Sequence, residues 1–447
     1  MKKIGFGEKL AYGLGDFSNN SAYLFVGTFL LSFLTLGLGL GGTVAGAIIM
    51  FVTFFDAIND VIIGAMVDKA HGKGTTYGKI MRFSVIPVGV LMALLFCNVK
   101  ISTGGKIAYA VIIYALYTIA QTSYQVPFGS LSAAMSGDTD ERVALGAYRD
   151  WGANVGSFLV NTFGSVIILK FSAGNGDEMT ASGFFVAAVI FAVLLIIGGI
   201  IPAFVCKERV PVVPEQGTSF AAGLKAFGKN RYAVIATIVV CMVNCALVAR
   251  ASFCMYYAPF YLGNPEYIAI ILSVMSIVPL AGILLVPAAT KKFDRKVMFS
   301  AAGVCLIITG LLELIGGNLI CSIIGSVFCG LSLCCSITVC WGAIPDIADY
   351  GDYATGSYAP SVIYSTLTFV MKAATALASM GLGVILDAYG FEAGNVTETA
   401  ISGIHTWFGL FPIILGAVAL IAGLMFNLTH KRIEEIHVEL DKRHAAE

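Results

Sequence analysis

Long apolar stretches dominate this sequence and limit the kind of fold that it can adopt. The 447 residues are 58% hydrophobic and only 12% charged, whereas a soluble domain is about a quarter charged. Stretches long enough to cross a bilayer fall at 10–36, 43–66, 80–98, 107–133, 146–169, 182–205, 233–260, 267–289, 297–316, 319–344, 361–388 and 404–428. The sequence therefore predicts an all-α membrane protein with twelve transmembrane helices.

The lysines and arginines indicate which side of the membrane each loop faces. With both termini in the cytoplasm, the inner loops hold 21 of the 27 basic residues and the outer loops hold 3. This bias is typical of cytoplasmic loops, so we expect cytoplasmic N- and C-termini. The longest polar connector, 207–231, then separates an N-terminal six-helix bundle (1–206) from a C-terminal one (232–428), and 429–447 form a cytoplasmic tail.

Several functional classes are disfavoured by what the sequence lacks. The net charge is zero, which removes the electrostatic argument for nucleic-acid binding. The sequence contains no G-x-x-x-x-G-K-[ST] phosphate loop, H-x-x-x-H pair or nucleophile–base constellation, so we expect neither an ATP-driven pump nor an enzyme, and no cofactor. With these classes disfavoured, we expect a secondary transporter that is surrounded by lipid in the cell (inner) membrane.

Two carboxylates interrupt the second apolar stretch. Asp56 and Asp60 are one helical turn apart and Asn59 lies between them, so their oxygens share one face. Each aspartate near the middle of a bilayer costs about 2.5–3.5 kcal/mol. A bound Na⁺, which oxygen ligands suit, or a shared proton would offset that cost. The open alternative is a structural ion pair with one of the three membrane-embedded cations, Arg149, Arg250 or Lys372.

Five segments recur in a characteristic order on spans one, two, four, ten and eleven. They are Tyr12–Phe17, Asp56–Gly64, Val126–Leu131, Asp346–Tyr353, and Tyr364–Ser365 with Lys372. Together they resemble the glycoside–pentoside–hexuronide:cation symporters, the melibiose permease-like branch of the major facilitator superfamily. The resemblance implies two six-helix halves that alternate around a central site and import a sugar with Na⁺, H⁺ or Li⁺.

The resemblance also implies roles for individual residues. The coupling cation would be bound by Asp56, Asn59, Asp60 and Thr122. The sugar would be faced by polar residues of spans one, four, five and eleven: Asn20, Gln121, Gln125, Arg149 and Lys372. For Arg149 the alternative is local neutralisation by the adjacent Asp150.

Two further charged residues are candidates for the substrate site. Asp16 lies one turn before Asn20 and could instead pair with a loop cation. Arg250 of span seven adds a cation that the family pattern does not require, and its alternative is an ion pair with Glu313.

The departures from the family pattern bear on the substrate. Asn20 and Gln125 stand where family members hold the sugar with aspartates, and Gly129 and Ile337 stand where aromatic residues are expected. The site would thus keep both of its cations, Arg149 and Lys372, while losing the two carboxylates that would neutralise them. Surplus positive charge favours an acidic sugar such as a hexuronide or glucuronide. A neutral glycoside or pentoside remains open, as does, in another class, a lysolipid or amphiphile carrier or a transporter-derived sensor.

Four aspartates on the cytoplasmic side are candidates for a gate that contacts basic loop residues. One, Asp68, belongs to a G-x-x-x-D-[RK] motif after span two, and the others follow span ten in a predicted connector: Asp346, Asp349 and Asp352.

Overall fold

The computed structural model describes residues 4–136, 138–172, 179–210, 227–282, 285–355, 360–392 and 394–444, and within them the regular structure is entirely helical. The helices of the first half are α1 (Phe6–Ser32), α2 (Gly42–Gly72), α3 (Tyr77–Leu95), α4 (Thr103–Met135), α5 (Thr139–Lys170) and α6 (Ala181–Val205). Those of the second half are α7 (Arg231–Tyr256), α8 (Tyr267–Gly282), α9 (Val286–Lys292), α10 (Arg295–Gly316), α11 (Leu319–Leu333), α12 (Val339–Thr355), α13 (Pro360–Ala388), α14 (Glu398–Met425) and α15 (His430–His444). Three π-helical turns extend α1, α7 and α11, at Phe33–Gly37, Tyr257–Tyr261 and Cys334–Thr338.

The helices confirm a multi-pass all-α membrane protein. Among the described residues, eleven helical segments are long and apolar enough to cross a membrane. Where an eighth span was predicted, at 267–289, the chain forms the shorter apolar helix α8 and then α9. The twelfth crossing and the cytoplasmic position of the termini stay predictions.

The prediction of a connector directly after span ten is wrong, because Asp346, Asp349 and Asp352 lie inside the helix α12. Hydropathy ends the span at 344, but the helix continues for about three more turns. Two of the carboxylates have basic partners there, Arg295 for Asp346 and His437 for Asp349. Hydropathy marks where the apolar part of a span ends. The helix can continue beyond that point when its charged side chains have partners of opposite charge.

The described contacts divide the chain into two compact units. Unit 1 comprises residues 1–214 with 258–276 and 379–401, and unit 2 comprises 215–257, 277–378 and 402–447. In unit 1, α1 packs closely on α5 and α6. A Cβ added at Gly152 of α5 would clash with the carbonyl oxygen of Gly13 in α1. These glycines let α1 and α5 approach closely, which brings their polar residues together.

Two segments from the second half of the sequence also belong to unit 1. The Asp387 carboxylate accepts hydrogen bonds from the backbone N–H groups of Gly42 and Thr43, both at 2.7 Å. It therefore caps the N-terminus of α2, where backbone donors lack helical partners. The Asn161 amide of α5 also donates to Ser276 of α8 over 2.5 Å.

Unit 2 contains a fully buried ion pair. Arg250 of α7 donates to Glu313 of α10 over 2.8 Å, and both side chains are 0% exposed. The same guanidinium donates to the Ser322 carbonyl and the Ser326 hydroxyl of α11, so three helices meet at this group.

Candidate cation and substrate sites

The carboxylates of α2 meet a hydroxyl of α4. Thr122 Oγ1 donates to Asp60 Oδ1 over 2.7 Å and lies 3.4 Å from Asp56 Oδ1. Asp56, Asn59 and Thr122 are buried and Asp60 is half-buried. The structure thus brings together three of the four residues predicted to bind a cation, on two helices of one unit, and Asn59 is buried on the same helix as the two aspartates.

The donor set of this cluster suits a small hard cation. Two carboxylates, a hydroxyl and an amide offer only oxygen as ligand atoms, which is the preference of such ions. Asn59 Nδ2 is buried with no hydrogen-bond partner among the described residues. Leaving a buried amide donor unpaired costs free energy. The contacts of the described residues therefore do not satisfy all of the hydrogen-bonding groups of Asn59. The chemistry of this donor set fits a small cation or a proton.

Asn20 and Arg149, both predicted to face the sugar, lie on neighbouring helices of unit 1. The Asn20 amide donates to the Ala153 carbonyl and to the Ser157 hydroxyl of α5, both over 2.7 Å. Arg149 Nε lies 3.5 Å from Asp16 Oδ1, and the Arg149 side chain is 32% exposed. Asp16 therefore faces Arg149 across the helix contact, a pairing that the sequence did not predict.

Space is present beside the Arg149 guanidinium. In the described part of the chain, a Cβ added at Gly129 of α4 would meet no closer atom from another helix than Arg149 Nη1, at 4.0 Å. The ring of Phe128 lies 5.7 Å from the same guanidinium. Gly129, where the family pattern has an aromatic residue, thus leaves room next to a partly exposed cation.

The other predicted substrate residues have different surroundings. Gln125 of α4 is exposed, whereas Gln121 is buried and its amide donates to Asn19 Oδ1 over 2.9 Å. Lys372 is half-buried in the part of α13 that belongs to unit 2. The alternative pairing of Arg250 with Glu313 is confirmed, and the 0% exposure of Arg250 supports a structural role there.

The predicted gate residues have partners at one end of unit 2. Asp346 forms an ion pair with Arg295 at the start of α10, and Asp349 lies 2.9 Å from His437 Nε2 of α15. Asp352 is half-buried on the same helix. The side chain of Asp68 lies outside the described part of the chain. A role of these contacts in gating stays a prediction.

Two contacts of unit 1 were missed by sequence reasoning. Asn19 is not among the predicted site residues, although its position beside Asn20 in an apolar helix marks it as a second buried amide. Asp387 ends a long apolar helix, and the glycines at 41 and 42 begin another. Nothing local in either segment indicates that the two would meet.

Comparison with known proteins agrees with this architecture. The model of the family described as MFS/sugar transport protein matches residues 11–430. A putative glycoside/cation symporter of Escherichia coli K12 is 26% identical over 456 residues, covering 100% of this chain and 97% of the relative. A glucuronide carrier protein homolog from the same organism is 27% identical over 447 residues, covering 97% and 95%. The crystal structure of a D-xylose-proton symporter has the same fold, with a TM-score of 0.65, 14% identity and coverage of 94% and 97%.

Proposed function

This chain belongs to the MFS/sugar transport protein family, and from that premise we propose that it imports an acidic sugar or glycoside together with a cation. Like its relatives, it is a membrane transporter and not an enzyme. Coupling to a cation and an acidic substrate both go beyond what membership of the family shows.

The cluster of Asp56, Asp60 and Thr122 supports cation coupling. Two carboxylates one turn apart repel each other when both are charged, and a cation between them relieves that repulsion. Binding of the cation would neutralise α2 and favour the arrangement of α1, α4 and α5 that accepts substrate. The coupling is reciprocal, so substrate must raise the affinity for the cation by the same factor.

The observation that carries the acidic substrate is the partly exposed Arg149 beside the open position at Gly129. A guanidinium binds a carboxylate through two parallel hydrogen bonds, which an uncharged hydroxyl cannot match in strength. The relative named as a glucuronide carrier homolog supports this choice of substrate class. Lys372 is the second cation assigned to the substrate, by resemblance to the family.

The ion pair of Arg149 with Asp16 favours one alternative, a neutral glycoside. If Asp16 keeps its charge when substrate binds, the net charge beside Arg149 is close to zero. A carboxylate on the substrate would then add little to the binding free energy. The relative named as a glycoside/cation symporter supports this alternative in the same way.

Competition for uptake separates the two substrates. Membrane vesicles containing the protein would take up a labelled glucuronide in the presence of an unlabelled uronide or of its neutral glucoside counterpart. We expect the uronides to inhibit at concentrations at least tenfold lower than the matched glucosides. Inhibition by the neutral glucosides alone would overturn the acidic substrate.

A further inference from the structure

Two buried side-chain amides join α1 to α4 inside unit 1. Gln121 Nε2 donates a hydrogen bond to Asn19 Oδ1 over 2.9 Å, and each residue is 4% exposed. Because its amide nitrogen is directed at α1 and not at open space, Gln121 serves here as a helix contact.

Each member of this pair is adjacent to a residue of the candidate sites. Thr122 follows Gln121 on α4 and donates to the Asp60 carboxylate of α2. Asn20 follows Asn19 on α1 and donates to the Ala153 carbonyl of α5. Neighbouring residues of one helix share a rigid backbone, with 1.5 Å of rise between them. A displacement of α4 at Thr122 therefore moves Gln121, and a displacement of Asn19 moves Asn20.

The contacts continue to the guanidinium proposed to bind substrate. Arg149 precedes Ala153 by four residues on α5, so the two lie one turn apart on the same side of the helix. Asn20 holds the Ala153 carbonyl at 2.7 Å and the Ser157 hydroxyl one turn further on. A shift of α1 at Asn20 is thus transmitted to the segment of α5 that carries Arg149.

The alternative for this pair is a contact that only holds α1 against α4. That role would not require amides, because replacing both partners of a buried hydrogen bond by apolar groups of similar shape is often nearly neutral. The amides also leave a polar atom unsatisfied, since Gln121 Oε1 is buried without a hydrogen-bond partner among the described residues. Apolar side chains would hold the helices together without that cost, which favours a role in the transport cycle.

We propose that the Asn19–Gln121 hydrogen bond is the positioning contact that couples the cation cluster to the substrate site. Cation binding at Asp56 and Asp60 changes the hydrogen bond of Thr122 and displaces α4, and Gln121 passes the displacement through Asn19 to α1 and α5. This inference rests on the proposed cation-coupled function. Asn19 and Gln121 are positioning residues, since the Gln121 amide donates to Asn19 and the pair acts through Thr122 and Asn20.

The test measures the coupling directly. In proteoliposomes, the half-saturating concentration of a labelled glucuronide is determined without and with saturating Na⁺ or H⁺, and the ratio of the two values is the coupling factor. In Asn19→Leu and Gln121→Met, we expect this factor to fall about threefold or more, as the mean strength of a hydrogen bond between membrane helices corresponds to about threefold in affinity. In Asn19→Leu, which removes no residue assigned to the substrate, the half-saturating concentration without added cation should stay unchanged.

Two further variants distinguish coupling from a general loss of packing. Tyr124→Phe removes another buried hydrogen bond of α4, from Tyr124 Oη to the Gly199 carbonyl, and should leave the coupling factor at its wild-type value. The exchanged pair Asn19→Gln with Gln121→Asn restores both amides and should recover most of the coupling.

The outcomes separate this inference from the proposed function. A wild-type coupling factor in both Asn19→Leu and Gln121→Met would overturn the positioning role, and so would an equal loss in Tyr124→Phe. A wild-type protein whose substrate affinity ignores every cation would instead overturn the cation-coupled function on which the inference rests.

Discussion

Thr122 of α4 donates a hydrogen bond to the Asp60 carboxylate of α2 over 2.7 Å and approaches Asp56 at 3.4 Å. This contact joins a neutral oxygen to two carboxylates that an apolar helix would otherwise exclude. It brings the most costly residues of the second span next to a hydroxyl oxygen contributed by another helix.

Replacing Thr122 by alanine tests this cluster. Thr122 offers a neutral oxygen to a bound cation, so Thr122→Ala should raise the half-saturating Na⁺ concentration for uptake by about tenfold or more, as loss of one partner at a metal site typically does. Thr122→Ser keeps the hydroxyl and should stay within about twofold of the wild type. Equal cation dependence in Thr122→Ala and the wild type would remove Thr122 from the site.

The Arg149–Asp16 contact predicts opposite effects of two substitutions on substrate choice. Asp16→Asn removes the competing carboxylate and should lower the half-saturating concentration of a glucuronide several-fold. Arg149→Gln should raise it by about tenfold or more, since a charge-assisted hydrogen bond is lost. Matched neutral glucosides should change far less in both variants. If glucuronide and glucoside shift together, Arg149 does not recognise the acidic group.

The buried pair of Arg250 and Glu313 predicts a stability effect that depends on which partner is removed. Arg250→Met alone leaves the Glu313 carboxylate buried without its cation and should destabilise the protein by about 3–5 kcal/mol. Arg250→Met with Glu313→Leu removes both charges and should recover most of that loss. Thermal unfolding in detergent measures both effects. A double variant as unstable as the single one would show that the pair itself stabilises unit 2.

The cap that Asp387 forms on α2 predicts a change in accessibility within unit 1. Removal of a helix cap costs about 1 kcal/mol, which would make opening of this contact about fivefold more frequent. Ser379 is buried in the same segment, so its alkylation as Ser379→Cys, in a chain without other cysteines, reports the opening. Asp387→Ala should raise the alkylation rate about fivefold.

The exposed Glu392 of the same segment provides the control for this experiment. Glu392→Ala removes a nearby carboxylate for which no contact with α2 is described, so it should leave the alkylation rate unchanged. If Asp387→Ala behaves like Glu392→Ala, the cap does not hold the contact closed.

The sequence predicts those parts of the molecule that depend on local chemistry. Hydropathy identifies the membrane helices because burial in lipid demands long apolar stretches. Helical spacing places Asp56, Asn59 and Asp60 on one face. The pairing of Arg250 with Glu313 follows because a buried charge requires a partner.

The remaining features depend on contacts between segments distant in the chain. The Asn19–Gln121 hydrogen bond spans 102 positions and the Asp387 cap spans more than 340. One sequence contains no signal for such pairings, since each residue has many possible partners on other helices. The end of α12 was misplaced for a related reason, because Arg295 and His437 stabilise its aspartates from other helices.

Cation movement driven by substrate tests the central claim most directly. Proteoliposomes loaded with a fluorescent Na⁺ or H⁺ indicator receive an inward glucuronide gradient, with wild-type protein in one preparation and Asp60→Asn in another. If Asp56, Asp60 and Thr122 hold the coupled cation, the gradient should drive Na⁺ or H⁺ inward with the wild type and not with Asp60→Asn. Glucuronide uptake without movement of either cation, or equal cation movement with both proteins, would contradict a coupling site at these residues.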